Sequence, residues 1–162
     1  MADALEPEQL RAYFALMESV SLLQHAVEQQ LRADGGISYV QFQLLARLAQ
    51  TKQLTMTELA DGVVYSRSGL THQAKLLERA GLITRTGCPD DQRATVAAIT
   101  DTGLALIRRL MPGHIEVTRS LLFDSLSNED LHALTEIMTR ARDHMRAQPP
   151  RSATSRRRPT TD

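Results

Sequence analysis

The stretch from residue 57 to residue 85 constrains the fold more than any other part of the chain, because two apolar patterns of helical period flank a glycine there. Thr55 and Glu58 have the spacing of a capping box, which predicts the start of a first helix. We expect Gly62 to end that helix, and Ser66, a favourable N-cap residue, to begin the second. The pattern predicts a helix-turn-helix.

The second of these helices has one apolar and one polar face. Its apolar stripe, which we expect to be buried, consists of Leu70, Ala74 and Leu77. Small residues near its start would let the backbone approach a DNA duplex closely, and a helix N-terminus favours phosphate. The residues that we expect to position or read a major groove are Ser66, Arg67, Ser68, Gly69, Thr71, His72, Gln73 and Lys75. Two amphipathic helices also occur in many helical domains, so this fragment alone leaves DNA binding open.

A β-hairpin is predicted directly after the second helix, which we expect to end at Gly81. Residues 82–85 and 94–99 have strand character, and the segment between them is rich in turn formers and charges. A hairpin in this position is the wing of a winged-helix domain. We expect Arg93 to lie in or beside the minor groove, where narrow A·T tracts concentrate negative potential, and Asp91 to fix its direction. The alternative is a surface ion pair, which stabilises little.

Together these segments resemble the MarR (multiple antibiotic resistance regulator) family. The matching residues are 59–60, 66–71, 77–83, 91–93 and 99–103. In the family's wing signature, valine and leucine stand where this sequence has Ala97 and Ile99, and both changes affect strand packing rather than the charged pair. The resemblance extends over residues 8–147. It implies a dimeric winged-helix regulator of transcription in a bacterial cytoplasm, usually a repressor that binds a pseudo-palindromic operator and is released by a small ligand.

The two ends of the chain are predicted to form a helical dimerisation region, made of residues 8–34 and 104–147. Apolar residues recur there in three- and four-residue steps, at Leu10, Tyr13, Met17, Val20, Val27 and Leu31, and again at Leu131, Leu134, Met138, Ala141 and Met145. A second copy of the chain would cover such seams, although an intrachain bundle would also explain them. Residues 37–103 form the winged helix-turn-helix lobe of the same unit, residues 1–147. The predicted fold class is therefore mainly α with a small β-wing.

Pro112 interrupts the helical pattern between residues 104 and 126. Because proline removes a helix hydrogen bond, we expect a bend at this point. In the family that the chain resembles, a long helix joins the DNA-binding and dimer lobes, so a bend here could change the spacing of two recognition helices. The alternative is that Pro112 only shapes the helix.

A small-molecule site is implied by the resemblance, since regulators of this family often bind aromatic or anionic compounds in a cleft between the lobes. The N-terminal helix, residues 37–42 and the long helix after Gly103 would wall that cleft. The candidate ligand-binding residues are His25, Tyr39 and Arg47. We expect Phe42 to be a core residue, and a surface position for Tyr39 is the alternative.

Other classes of function find little support in the sequence. It contains no phosphate-binding glycine loop, dinucleotide fingerprint or nucleophile elbow, so we predict no enzyme, no catalytic residue and no cofactor. No two of the five histidines have the i,i+3 or i,i+4 spacing of a helical ligand pair, so no metal site is predicted. Cys88 is interpreted as a small turn residue. A winged helix that serves only as a protein-interaction module is the alternative function.

The charge balance places a condition on DNA binding. Nineteen Lys and Arg residues equal nineteen Asp and Glu residues, so attraction to DNA must depend on local placement of cations such as Arg67, Lys75, Arg85 and Arg93. No apolar run approaches a membrane span and the N-terminus lacks a signal-peptide pattern, so we expect a cytoplasmic protein without membrane contact. Residues 148–162 are predicted to be a flexible Arg- and Pro-rich tail, either solvated or in nonspecific contact with phosphates.

Overall fold

The described part of the chain, residues 4–63, 67–87 and 94–147 of a computed structural model, forms six α-helices and three short strands. In chain order the elements are α1 (Pro7–Gly35), α2 (Tyr39–Thr51), β1 (Gln53–Thr55), α3 (Met56–Val63), α4 (Arg67–Arg79), β2 (Ile83–Gly87), β3 (Thr95–Ile99), α5 (Asp101–Leu121) and α6 (Asn128–Ala147). The chain divides after Leu121 into two compact units. The predicted fold class is confirmed. No helix in these ranges is long and apolar enough to cross a membrane.

Leucines from five helices make the core of the first unit. The fully buried ones are Leu31, Leu44, Leu45, Leu48, Leu59, Leu70, Leu77 and Leu110. Full burial of one such side chain stabilises the fold by about 1.5–3 kcal/mol, so this cluster is the main stabilising element. Helix α1 enters the cluster through its C-terminal half, where Val27 and Leu31 are buried. The predicted apolar stripe of α4 is confirmed, since Leu70, Ala74 and Leu77 are each 1% exposed.

Local hydrogen bonds define the two ends of the helix-turn-helix as predicted. At the start of α3, the Thr55 hydroxyl accepts from the Glu58 backbone N–H at 3.2 Å, and the Glu58 carboxylate accepts from the Thr55 backbone N–H at 2.8 Å. This is a complete capping box. At the end of α4, Gly81 has a φ of +70° and its N–H donates to the Glu78 carbonyl, while the Leu82 N–H donates to the Leu77 carbonyl. These two bonds form a Schellman motif.

The prediction that Gly62 ends the first helix is wrong. Helix α3 continues to Val63, and Gly62 lies inside it. A Cβ atom at residue 62 would stand 2.2 Å from Cζ of Arg47, which belongs to α2. The guanidinium group of Arg47, fifteen residues away in sequence, therefore packs where a side chain at residue 62 would lie, a contact that no local pattern reveals.

The three strands form one antiparallel sheet in the order β1–β3–β2. β2 and β3 confirm the predicted hairpin, with Arg85 opposite Ala97 and Gly87 opposite Thr95. Ala97, which replaces the valine of the family signature, is fully buried at the centre of the sheet. β1 was not predicted, because three residues are too few to show a period-two pattern. The segment between β2 and β3, with Cys88, lies outside the described residues.

Helix α5 is held to the end of the hairpin by its first turn. The Thr100 hydroxyl accepts from the Gly103 backbone N–H at 3.1 Å, and the Thr100 backbone N–H donates to the Leu82 carbonyl at 3.1 Å. The helix is continuous through Pro112, and the bend of its axis expected there stays a prediction. Gly113 lies close to the side chains of Gln30 and Asp34 in α1.

In its described part, residues 122–147, the second unit has a 3-10 turn, Phe123–Ser125, followed by α6. The Ser127 hydroxyl accepts from the Asp130 backbone N–H, and the Asp130 carboxylate accepts from the Ser127 backbone N–H, which forms a capping box at the start of this helix. No residue of α6 is buried in the single chain. Met138 is 36% and Met145 67% exposed, so much of the predicted apolar seam of α6 faces outward.

Candidate nucleic-acid interface

Helix α4 presents a polar face whose direction is set by its buried stripe. Ser68, His72 and Lys75 are exposed, whereas Gly69 and Thr71 are half-buried. A helix anchored on one side by leucines can bring such a face to a DNA groove without rearranging its own packing. We call α4 the recognition helix from here on. Ser68 and Gly69 add little side-chain bulk to its first turn.

Gln73 belongs to the predicted DNA-binding set, and that role stays a prediction. Its side chain is half-buried, and its Oε1 atom is shielded from solvent with no hydrogen-bond partner in the described residues. A buried amide oxygen without a partner costs free energy, so the side chain gains from rotating toward a donor. Gln73 therefore contributes less exposed polar surface to the recognition helix than Ser68, His72 or Lys75 does.

Several predicted DNA-binding residues fall outside the described structure. Ser66, Asp91 and Arg93 belong to segments that it leaves out, and for Arg67 only the backbone is described. Their roles stay predictions. The order of elements nevertheless agrees with the winged-helix interpretation, because the hairpin that would carry Asp91 and Arg93 follows α4 directly.

Arg85 was predicted to be a cation on or near the DNA face, and the structure gives it an intramolecular partner. Its Nε and Nη2 atoms donate to the same Oε2 atom of Glu78, at 3.0 and 2.7 Å. Glu78 lies in the last turn of α4, and Arg85 in the middle of β2. The guanidinium charge is therefore largely compensated inside the protein.

Arg47, predicted to bind a ligand, lies instead against the helix-turn-helix. Its Nη1 atom donates to the Gly62 carbonyl at 3.4 Å, and its Nε atom is buried with no hydrogen-bond partner in the described residues. A cation beside the C-terminal turn of α3, as the Arg47 guanidinium is, is favourably placed with respect to the dipole of that helix. Arg47 therefore contributes to the position of α3, and it does not line the cavity described next.

A cavity of about 310 Å³ lies between α1, the start of α2 and α5. It is in the place where the sequence predicted a cleft. Its lining residues are Val20, Leu23, Gln24, Val27, Tyr39, His114 and Thr118. Of the three predicted ligand residues, only Tyr39 lines it. His25 is exposed on α1, where its ring nitrogen Nε2 lies 2.9 Å from the Gln29 amide nitrogen.

His114 is the lining residue with the most unusual environment. Its ring lies against that of Phe42, with 4.7 Å between the centroids, and its Nδ1 atom is buried without a partner in the described residues. Burial lowers the pKa of His114 below its usual value of 6.5, so the imidazole is neutral at neutral pH. Phe42 is a core residue, as predicted.

Three polar residues of this cavity, Gln24, His114 and Thr118, were not among the predicted ligand residues, although the sequence contains two signals for them. Gln24 is the one polar interruption in the apolar stripe of α1, which distinguishes it from its neighbours on that stripe. His114 and Thr118 have the i,i+4 spacing of residues that share one side of a helix. Neither signal says which other helix lies opposite. In the described ranges, no group of three His, Cys, Asp or Glu residues could hold a metal ion.

Comparison with known proteins agrees with this geometry. Residues 37–95 match the sequence profile of the MarR family. Sco3205, a MarR family transcriptional regulator from Streptomyces coelicolor whose crystal structure is in complex with DNA, is 34% identical, and the match covers 92% of this chain and 93% of that one with a TM-score of 0.84. AbsC, another MarR family regulator from S. coelicolor, is 29% identical over 91% of this chain and 100% of that one, with a TM-score of 0.82.

A third relative is the HTH-type transcriptional regulator PecS from Dickeya dadantii, which is 26% identical over 132 residues, or 80% of this chain and 79% of PecS. These matches span both the helix-turn-helix and the long helices, so the likeness is not confined to the DNA-binding motif. The chain belongs to the MarR family of winged helix-turn-helix, DNA-binding transcription regulators.

Proposed function

We propose that this protein is a homodimeric transcription repressor of the bacterial cytoplasm that binds a pseudo-palindromic operator. The observation that carries DNA binding is the recognition helix, whose apolar stripe is buried while Ser68, His72 and Lys75 are exposed. A two-fold dimer presents two such helices, and its half-sites would lie about one helical turn, roughly 34–36 Å, apart. The wing adds a contact beside each major groove.

Each DNA-facing residue has a proposed role. The groups that would contact bases or phosphates of the major groove are Ser66, Arg67, Ser68, Gly69, Thr71, His72, Gln73 and Lys75. Arg93 would enter the minor groove, with Asp91 holding its direction. Because the formal net charge is zero, binding would come from this local set of cations and would weaken steeply with salt.

Fluorescence anisotropy with DNA from the protein's own upstream region tests DNA binding. Binding should be tighter than to scrambled DNA of equal length, and Lys75→Ala should weaken it and reduce the salt slope by about 1. Arg119→Ala, an exposed cation on α5, is the matched control and should leave the slope unchanged. Equal affinity for specific and scrambled DNA, followed by failure of an unbiased operator selection, would favour the protein-interaction module instead.

The proposed dimer is supported by apolar side chains that the single chain leaves uncovered. Leu10, Tyr13, Phe14, Met17, Val20 and Leu22, all on the N-terminal half of α1, are between 38% and 65% exposed. Ile137, Met138 and Met145 of α6 are between 36% and 67% exposed. Monomeric proteins rarely expose large apolar patches, so we infer that a second copy of the chain buries these side chains in a dimer.

Light scattering after size exclusion tests the dimer. The wild-type protein should have the mass of two chains, and Phe14→Glu with Leu22→Glu should shift it toward one chain without loss of helical circular dichroism. Ala33→Glu, at an exposed position nearer the C-terminal end of α1, is the matched control and should remain dimeric. A monomeric wild-type protein that still binds its operator with full affinity would contradict the proposal.

Control by a small aromatic ligand is a second proposal, and the 310 Å³ cavity carries it. Its walls combine apolar side chains with the neutral hydrogen-bonding groups of Gln24, Tyr39, His114 and Thr118. Its lining contains no Arg or Lys, and Arg47 is directed to α3. Of the two ligand classes expected from the sequence, an uncharged aromatic compound therefore fits better than an organic anion, which would lose solvation without a cation to replace it.

Paired probes test this ligand class. Phenol and benzoate have similar size, and phenol should shift the melting temperature and weaken operator binding at lower concentrations. Gln24→Leu should reduce the response, whereas His25→Leu, at the neighbouring exposed position, should not. A response to benzoate alone, or an equal loss with both variants, would contradict the assignment of ligand class and site.

A further inference from the structure

Glu78 and Arg85 join the recognition helix to the wing by the two hydrogen bonds described above. The Arg85 side chain is 18% exposed and the Glu78 side chain 36%. An ion pair in this partly shielded position loses less to solvent than a fully exposed pair. It is also short, with 2.7 Å between Arg85 Nη2 and Glu78 Oε2.

Arg85 makes hydrogen bonds from β2 to α4 at a point two residues beyond the buried Ile83. Side chains alternate along a strand, so residues 83, 85 and 87 share one face of β2. Ile83 is 2% exposed and anchors the base of the strand in the core. At residue 87 the glycine has no side chain, and no atom lies within 4 Å of where its Cβ would be. Thr84 and Thr86, on the other face, are exposed.

The ion pair therefore attaches the middle of β2 to the last turn of the recognition helix. The turn from α4 to β2 is fixed by its Schellman bonds, and Arg85 adds a second attachment two residues beyond Ile83. Loss of that attachment would leave the outer half of β2 tied only to β3, through the pairs that end at Gly87 and Thr95. The pairing of β1 with residues 96–98 of β3 holds the base of the hairpin, so its outer end, at Gly87 and Thr95, would then be freer to move relative to the recognition helix.

We propose that Glu78 and Arg85 are positioning residues for DNA binding, which hold the wing at a fixed angle to the recognition helix without contacting DNA themselves. This inference rests on the proposed function. It differs from the expectation that Arg85 is a phosphate-binding cation, because a guanidinium compensated by a carboxylate releases few counterions from DNA.

The two interpretations predict opposite results for Glu78→Gln in the anisotropy assay. If Arg85 is a positioning residue, Glu78→Gln and Arg85→Met should each weaken operator binding by about threefold to tenfold. Their double variant should be no weaker than either single one, and the salt slope should stay unchanged. If Arg85 binds a phosphate, Arg85→Met alone should weaken binding and reduce the slope by about 0.9, while Glu78→Gln should bind as tightly as wild type or more tightly.

The charge-swapped variant, Glu78→Arg with Arg85→Glu, gives a second readout. It restores an ion pair of reversed direction and should recover part of the affinity, whereas a phosphate contact at residue 85 would be replaced by a repelling carboxylate. Arg142→Met, which removes an exposed pair with the adjacent Asp143 in α6, is the control and should leave binding unchanged. Tight binding by Glu78→Gln together with no recovery in the swap would overturn the proposal.

Hydrogen exchange separates failure of this proposal from failure of the proposed function. In the protein without DNA, Glu78→Gln and Arg85→Met should speed exchange of amides in β2 and β3 while the melting temperature changes little. Unchanged exchange in both variants would refute the positioning role even if DNA binding is confirmed. Faster exchange in a protein with no sequence-selective DNA binding would retain the attachment of the wing and refute the regulator instead.

Discussion

Replacing Gly103 with alanine should weaken the attachment of α5 to the hairpin, because the added methyl group has no room. A Cβ atom at residue 103 would lie 2.2 Å from the Leu82 carbonyl oxygen and 2.8 Å from Cγ1 of Ile99. Ordinary contact begins near 3.4 Å, so the helix would have to retreat by about 1.2 Å, the difference between 3.4 and 2.2 Å. The obstacle is backbone, which cannot rotate away.

The expected cost combines three terms. Overpacking in a close-packed site costs about 1–3 kcal/mol. The retreat would also strain the hydrogen bond from the Thr100 backbone N–H to the Leu82 carbonyl, which contributes roughly 1 kcal/mol. The higher helix propensity of alanine offsets up to about 1 kcal/mol. We expect a net loss of about 2 kcal/mol in the free energy of unfolding, or roughly 4–8 °C in melting temperature for a chain of this size.

Gly113→Ala provides the matched control. It makes the same substitution in the same helix, but the atoms nearest its Cβ, at 2.9 Å, belong to the side-chain ends of Asp34 and Gln30, which can move. Thermal unfolding followed by circular dichroism, at one fixed protein concentration, compares the two variants. We expect Gly113→Ala to be neutral or slightly stabilising. A Gly103→Ala variant as stable as Gly113→Ala would refute the argument that the Leu82 carbonyl sets the position of α5.

Three further substitutions test other parts of the structure. Burial lowers the pKa of His114, so its contribution to stability is complete above about pH 6.5 and is lost as the pH falls through the lowered pKa. His114→Gln should therefore reduce the drop in melting temperature between pH 7.5 and 5.5. An unchanged drop would contradict this. Lys52 has a φ of +69°, so Lys52→Gly should increase the free energy of unfolding by up to about 1 kcal/mol, which urea denaturation would show as a higher midpoint concentration. A lower midpoint would show that the Lys52 backbone is not strained. Leu31 is fully buried, so Leu31→Ala should cost about 2–5 kcal/mol in the same urea experiment; a loss below about 1 kcal/mol would mean that α1 is not part of the core.

Much of the fold was predictable because the interactions that define its helices and hairpin join residues close together in the sequence. The capping box at Thr55 and Glu58, the αL glycine at residue 81 and the apolar stripe of α4 each depend on residues within one or two helical turns. Strands β2 and β3 were predictable for the same reason, since turn formers separate two runs of strand character. β1 was missed because its three residues form a strand only by pairing with β3, far along the chain.

The sites were less predictable, because a side chain's partner is set by which helix packs opposite it. The local pattern at Gly62 predicts a helix end, but Arg47 of α2 packs against this residue. The local pattern at Arg85 predicts a cation near DNA, but Glu78 forms an ion pair with it. His114 looked like an isolated histidine, yet it lies against Phe42 and lines the cavity. The helix-turn-helix, its caps and the hairpin follow from short-range periodicity and hydrogen bonding, so they can be inferred from the order of residues alone. The pairing of Arg85 with Glu78 and the Nδ1 atom of His114 beside the cavity, unpaired within the described residues, follow from packing between residues distant in the chain, so they become known only with the folded structure.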